Sequence, residues 1–154
     1  MNGPIPNKNY LGRLAIVLHA HLPYVRKNEK NSLEEDWLFQ AILECYIPLL
    51  QVMESSKKKD IRNTKLTLSL SPTLLSLLQN KQIQQKYSSW IKTRIEFLSD
   101  LPKKEKAAAG FLLRNIKNNY LYWEKCSGDL INRFKNLNLT GNLDILTCAA
   151  THGY

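Results

Sequence analysis

LAIVLHAHLPYVR, residues 14–26, is the stretch on which the reading of this chain turns. Its apolar run at 14–18 predicts a buried strand. The run leads into His19-Ala20-His21-Leu22-Pro23-Tyr24. Pro23 has no N–H to give to a sheet and biases Leu22 away from helix, so the strand should stop near there. Two histidines therefore fall where a strand gives way to a loop, the edge that carries ligands and chemistry in α/β folds. Residues two apart on a strand face the same way, so His19 and His21 are expected to project to one side.

The far end repeats the pattern. A second strand-like apolar run, 143–150, is followed by Thr151-His152-Gly153-Tyr154, which sets a third histidine at a strand end. Such a fold would normally continue past that point, so the expectation is the N-terminal piece of a larger protein.

Between the two ends the elements alternate. Ser32-Leu33-Glu34-Glu35 fits a capping box, with Ser32 as N-cap and Glu35 three residues on. Glu34, Glu35 and Asp36 crowd the first turn, where the helix dipole favours anions. Trp37, Leu38, Ala41, Ile42, Cys45, Leu49, Val52 and Met53 follow at helical spacing and predict a core-facing stripe. Pro48 should kink or split this helix. Residues 55–64 read as a polar loop.

Leu66-Thr67-Leu68-Ser69-Leu70-Ser71-Pro72 alternates with period two and predicts the second strand, its leucines on one face and its hydroxyl residues on the other. Strand, helix, strand at this length predicts a crossover unit and a parallel sheet. Ser71 or Thr73 can cap a short helix at 74–78. Two long amphipathic patterns follow, one from Ile83 to Leu98 and one from Leu112 to Phe134, separated by Leu101-Pro102. Gly128 marks an irregularity in the second.

Composition suits an ordinary globular chain: 154 residues, 44% hydrophobic and 23% charged. The formal charge of +9 raises nucleic acid as a partner, but the basic residues are dispersed and no nucleic-acid motif accompanies them. The dense run Lys57-Lys58-Lys59 reads as a solvated loop. Cys45, Cys126 and Cys148 are odd in number and form no zinc or disulfide pattern. No signal-peptide organisation is present, and no apolar run approaches the roughly 20 residues of a membrane helix. A cytoplasmic location, with neither membrane nor nucleic acid as a partner, is the expectation.

HAHLPYVR, EEDWLFQAILECYIPLL, LTLSLSPTLL and GNLDILTCAATHGY, in that order, resemble the N-terminal half of a glycoside hydrolase family 57 catalytic domain, most of all its 1,4-α-glucan branching enzyme group. His21-Leu22-Pro23 matches the family's His-x-Pro motif. Gly141-Asn142-Leu143-Asp144 matches its Gly-x-x-Glu segment, with Asp144 in place of glutamate. The resemblance implies an α/β fold, the N-terminal portion of an incomplete seven-stranded (β/α) barrel with long inserted helices. It divides the chain into an N-terminal tail, 1–13, and a partial barrel domain, 14–154, truncated at its C-terminus. It also implies a retaining enzyme acting on α-1,4-glucan such as glycogen, amylose or maltooligosaccharide, with no cofactor and no metal. Retention uses a glutamate nucleophile and an aspartate acid/base, carboxyls about 5–5.5 Å apart. Both come from family motifs downstream of Tyr154, so no catalytic residue is assigned here and the chain alone is expected to be inactive.

What the resemblance leaves in this chain is half of a sugar site. His19, His21 and His152 would line the barrel floor, where imidazole hydrogen-bonds sugar hydroxyls without a permanent charge. Trp37, in the first turn of the helix after strand one, would stack on a sugar. Tyr154 completes the substrate-binding set. Each has a plainer alternative: a structural histidine, core packing for Trp37, loop packing for Tyr24 and Tyr154. His-x-His at a first barrel strand plus a later histidine is also how zinc hydrolases are assembled. A non-enzymatic glucan- or protein-binding fragment is the remaining alternative.

Overall fold

The computed structural model describes residues 14–23, 32–58 and 65–150. Three short strands, β1 (Val17–Ala20), β2 (Leu66–Leu70) and β3 (Leu143–Leu146), form one parallel sheet with β2 in the middle. Helices α1 (Leu33–Ala41) and α2 (Ile47–Lys58) cross from β1 to β2. α3 (Pro72–Gln79), α4 (Lys81–Ser99), α5 (Lys103–Lys125) and α6 (Leu130–Leu139) lead from β2 to β3.

β1 begins three residues later than the apolar run suggests and includes His19. The run is also not buried: Leu14, Ile16 and Val17 are exposed. Their apolar character reflects the sheet's outer edge rather than burial. In the ladder, Thr67 N–H donates to Ile16 O at 3.1 Å and Ser71 N–H to Ala20 O at 3.1 Å, so pairing carries through to the residue before His21.

Register assigns the faces. Val17, His19, Thr67, Ser69, Asp144 and Leu146 share one side; Leu18, Ala20, Leu68, Leu70, Leu143 and Ile145 share the other. The leucine side meets the helices, and Ala20, Leu68, Leu70 and Leu143 join one core cluster with Leu50, Leu74, Leu130 and Phe134.

Helix entry and exit follow local chemistry. Ser32 Oγ accepts the Glu35 N–H at 3.2 Å, which is half of the expected capping box. The Glu35 carboxylate does not reciprocate; it is buried and pairs with Lys86 of α4. Ser71, not Thr73, caps α3, accepting the Leu74 N–H at 3.3 Å, with Pro72 at the first helical position. The second long amphipathic pattern is two helices. α5 stops at a left-handed pair, Ser127 and Gly128 (φ 52° and 73°), where a Cβ on Gly128 would lie 2.8 Å from Trp123 Cζ2. Gly141 (φ 77°) closes α6. The Gly141 N–H donates to Asn138 O and the Asn142 N–H to Leu137 O, the paired bonds of a Schellman cap. That conformation is what the glycine of Gly141-Asn142-Leu143-Asp144 provides.

Pro48 splits its helix as expected, through a π-turn at Ile42–Tyr46. There the Ile47 N–H reaches back to Ile42 O. In this register the Leu43 carbonyl faces position 48, where proline has no N–H. Asn119 of α5 fills the place, its Nδ2 donating to Leu43 O at 2.9 Å.

The extra residue in that turn displaces the core stripe. Cys45 and Val52 are exposed and Tyr46 and Leu50 are buried in their place, whereas Leu38, Ile42 and Met53 are buried as expected. Trp37 is also off the stripe, 49% exposed beside fully buried Leu38. The expected loop at 55–64 is helical through Lys58, including two of the three lysines of the basic run; the remainder lies outside the described residues.

Outside the sheet layer, α4 and α5 carry an aromatic core. Tyr87 meets Trp123 edge-on at 4.5 Å and Phe39 at 5.7 Å. Trp123 Nε1 donates to Ser88 Oγ at 2.9 Å. Glu54, Tyr122 and Arg133 tie α2, α5 and α6 together: the Tyr122 hydroxyl (2.9 Å) and Arg133 Nε (2.8 Å) both donate to Glu54 Oε1.

Candidate functional site

In a parallel sheet every strand points its C-terminal end to the same edge, and the following loops gather there. His19 is the third residue of β1 and His21 stands just beyond its end, so both belong to that edge. Alternation turns both imidazoles to the side away from the helices. Their rings stack with centroids 6.0 Å apart and planes inclined by 15°. His19 is exposed and His21 half-buried. The neighbour of His19 on β2 is Ser69, and Leu146 of β3 follows across the sheet. Two imidazoles beside a buried serine hydroxyl form a small polar floor that can donate to and accept from hydroxyl groups.

Asp144 does not join the histidines. It is the second residue of β3, towards the opposite end and level with Thr67, and pairs with Lys65 at 2.8 Å where both side chains are about half exposed. An exposed pair there contributes little to stability, about 0–1 kcal/mol. The N-terminal face of such a sheet is the side associated with structure rather than chemistry.

Trp37 is the fifth residue of α1 and is about half exposed. About half of its surface therefore lies outside the core. Tyr24, His152 and Tyr154 lie outside the described residues. The segment leading towards the last two is anchored to the same edge. The Cys148 thiol donates to Leu70 O at 3.5 Å, and Thr73 Oγ1 donates to Ala150 O at 2.9 Å. β3 itself ends at Leu146, four residues before the end of its apolar run.

Ser69, Thr73 and Cys148 are thus edge residues that the sequence did not single out for this purpose. Ser69 was within reach, because strand alternation puts it on the hydroxyl face. The Thr73 and Cys148 contacts span 77 and 78 residues, and no local pattern signals them. Among the described residues no three His, Cys, Asp or Glu side chains converge as a metal ion would require; His152, the third histidine of the zinc alternative, is outside that set. No helix among them is long and apolar enough to cross a membrane.

Residues 15–154 match glycosyl hydrolase family 57. The 1,4-alpha-glucan branching enzyme TK1436 of Thermococcus kodakarensis is 32% identical over 146 residues, a match that covers 93% of this chain and 22% of the relative. Among solved structures, the GH57-type branching enzyme of Pyrococcus horikoshii superposes with a TM-score of 0.86 at 34% identity, over 93% of this chain and 28% of that one. The alpha-amylase AmyC of Thermotoga maritima superposes at 0.81 with 33% identity, over 93% of this chain and 28% of that one. The chain therefore spans about a quarter of the length of these relatives.

Proposed function

Because the chain belongs to glycosyl hydrolase family 57, we propose that it contributes the first strands and half of the sugar-binding floor of an α-1,4-glucan-active enzyme. The observation that carries this is the pair of stacked imidazoles, His19 and His21, on the polar side of a parallel sheet at its C-terminal edge. His19 and His21 hydrogen-bond hydroxyls of the glucose unit at the cleaved linkage. Trp37 offers its exposed indole as a stacking surface. His152 and Tyr154 complete the set. The fold to which these strands contribute is the incomplete seven-stranded (β/α) barrel, filled here by residues 14–154 after a short tail.

The chemistry is retaining transfer. A carboxylate displaces the leaving chain to give a glycosyl-enzyme intermediate, and a second carboxyl protonates the departing oxygen. Both carboxylates come from family motifs that the 154 residues do not contain. The residues present here bind and orient the sugar, which lowers the entropic part of the barrier. Branching, with transfer to a 6-hydroxyl, is favoured over hydrolysis because the branching enzymes lead the matches. Glycogen formation in the cytoplasm is the corresponding setting.

The test uses a protein in which this chain is followed by the remainder of a family 57 catalytic domain. Incubation with amylose after exhaustive chelation should still produce branch points, with few new reducing ends. Activity abolished by chelator and restored by zinc would overturn the proposal in favour of a metal-dependent hydrolase. In the same protein, His21→Ala should lower turnover by about 10²-fold with little change in melting temperature. Activity that falls only in proportion to folded protein would make His21 structural.

A further inference from the structure

A second concave surface lies between the first turns of α1 and the outer face of α4. It is an open groove of about 990 Å³, within the size range of ligand sites. It shares no lining residue with the His19–His21 edge. Its charges cancel in pairs: Glu35 with Lys86, and Asp36 with Arg94 at 4.0 Å. Two acidic and two basic side chains make the lining formally neutral, so it offers neither an anion nor a cation a net attraction.

The remaining wall is uncharged and hydrogen-bonding. Gln82, Gln85, Ser89 and Thr93 recur on one face of α4 and line the groove. This is unusual in a chain with 22 basic residues. From Gln82 to Thr93 the stripe runs about 16 Å along the helix at 1.5 Å per residue, the length of several pyranose rings end to end. Ser89 and Thr93 donate their hydroxyl protons to Gln85 O and Ser89 O, which leaves their oxygens as acceptors.

The floor is rigid. Trp90 Nε1 donates to Asp36 Oδ1 at 2.8 Å, and the Arg94 guanidinium covers the indole at 3.9 Å. Glu35 is almost wholly buried. The Asp36 carboxylate, the Arg94 guanidinium and the exposed Gln82 and Gln85 amides suit vicinal diols, because each can make paired hydrogen bonds. Phe39 and Ile83 lie buried beneath the groove, so the rim of the half-buried Trp90 indole, its face covered by Arg94, is the apolar surface left to a sugar ring.

We infer that this groove binds a neutral polyhydroxylated chain, and that its ligand is a segment of α-1,4-glucan. The assignment of the ligand rests on the α-glucan reading above. The groove extends hold on the polymer beyond the sheet edge, so longer glucans bind more tightly than short ones by having two points of attachment.

The three tryptophans give a site-resolved test on the full chain, carrying Val17→Lys and Ile145→Lys on its outer strands to keep it monomeric. In ¹H–¹⁵N spectra, Trp90 reports the groove, Trp37 helix α1, and buried Trp123 the integrity of the fold. Titration with maltoheptaose should shift the Trp90 indole N–H saturably, including in His21→Ala. Ser89→Arg, at an exposed helix position, should weaken that shift at least tenfold while the Trp123 resonance stays in place. Movement of Trp37 with Trp90 fixed would overturn the groove and leave the α-glucan proposal standing. An equal response of Trp90 to cellohexaose would overturn the α-glucan assignment. No movement at either indole would remove the groove and, at the sheet edge, the reading on which it rests.

Discussion

The helical layer and the sheet of this protein are finished to different degrees. In the helical layer long-range contacts are numerous and specific: Glu54 joins Tyr122 and Arg133, Glu35 joins Lys86, and Asn119 serves Leu43. Phe134, Leu50, Tyr87 and Ile91 are essentially inaccessible to solvent. The sheet is different. One side meets the helices, while its outer strands expose Leu14, Ile16, Val17, Ile145 and Leu146. Parallel sheets are normally covered on both faces. The helical layer accounts for stability within these residues; the sheet offers surface to something else.

That contrast predicts its own largest test. Residues 1–154 alone should self-associate at micromolar concentration and show no glucan turnover, because unpaired strand edges pair with one another. A charge on each outer strand, Val17→Lys with Ile145→Lys, should shift light scattering towards monomer with little change in melting. A sharply melting, glucan-cleaving monomer from the unaltered chain would break the contrast.

Next in size is a core truncation against a surface one. Phe134→Ala should destabilise by about 3–5 kcal/mol, whereas Leu146→Ser should change stability by no more than about 0.5 kcal/mol. Chemical denaturation of both variants measures the difference. Equal losses would mean that β3 is as firmly packed as α6.

The third test is alkaline. Burial pushes the Tyr46 hydroxyl up from 10.0 to about 12, with a smaller contribution from Cys45. Burial likewise raises Tyr87 and Tyr122. A raised folded value means that the unfolded chain loses its proton first. Stability is therefore fully present below pH 10 and declines as pH rises from 10 towards 12. For Tyr46 alone the loss is on the order of 2 kcal/mol. Tyr46→Phe should flatten the decline in melting temperature over that window; an unchanged slope would assign it elsewhere.

The smallest expected effect concerns Tyr87. Its hydroxyl is buried and finds no hydrogen-bond partner among the described residues. Tyr87→Phe removes that group and keeps the ring contacts with Phe39 and Trp123. The variant should be as stable as the parent, or more stable by up to about 1 kcal/mol. A clear loss would reveal a partner for the hydroxyl.

The sequence made the sheet legible where local chemistry was unambiguous. Alternation through residues 66–70 and the Ser71-Pro72 start of α3 were readable because a strand's period and a helix cap are short-range effects. The common side of His19 and His21 followed from the same period. The α1–α2 stripe was misread because a straight helical period was drawn through a π-turn. One extra residue there leaves Cys45 and Val52 exposed and Leu49 only partly buried, and buries Tyr46 and Leu50 instead, while Leu38, Ile42 and Met53 keep their expected places in the core. The acidic first turn of α1 looked like dipole electrostatics. In the fold, Glu35 and Asp36 reach Lys86, Trp90 and Arg94, more than 50 residues away, and nothing local announces such partners.

The bond from Asn119 to the Leu43 carbonyl also has a consequence in time. The acceptor precedes its donor by 76 residues, so at roughly 5–20 residues per second a ribosome needs about 4–15 s to deliver the partner. Until α5 arrives, water must serve that carbonyl, and the joint beside Pro48 remains the weakest turn of the nascent α1–α2 segment. Helix α5 thus completes a helix made long before it.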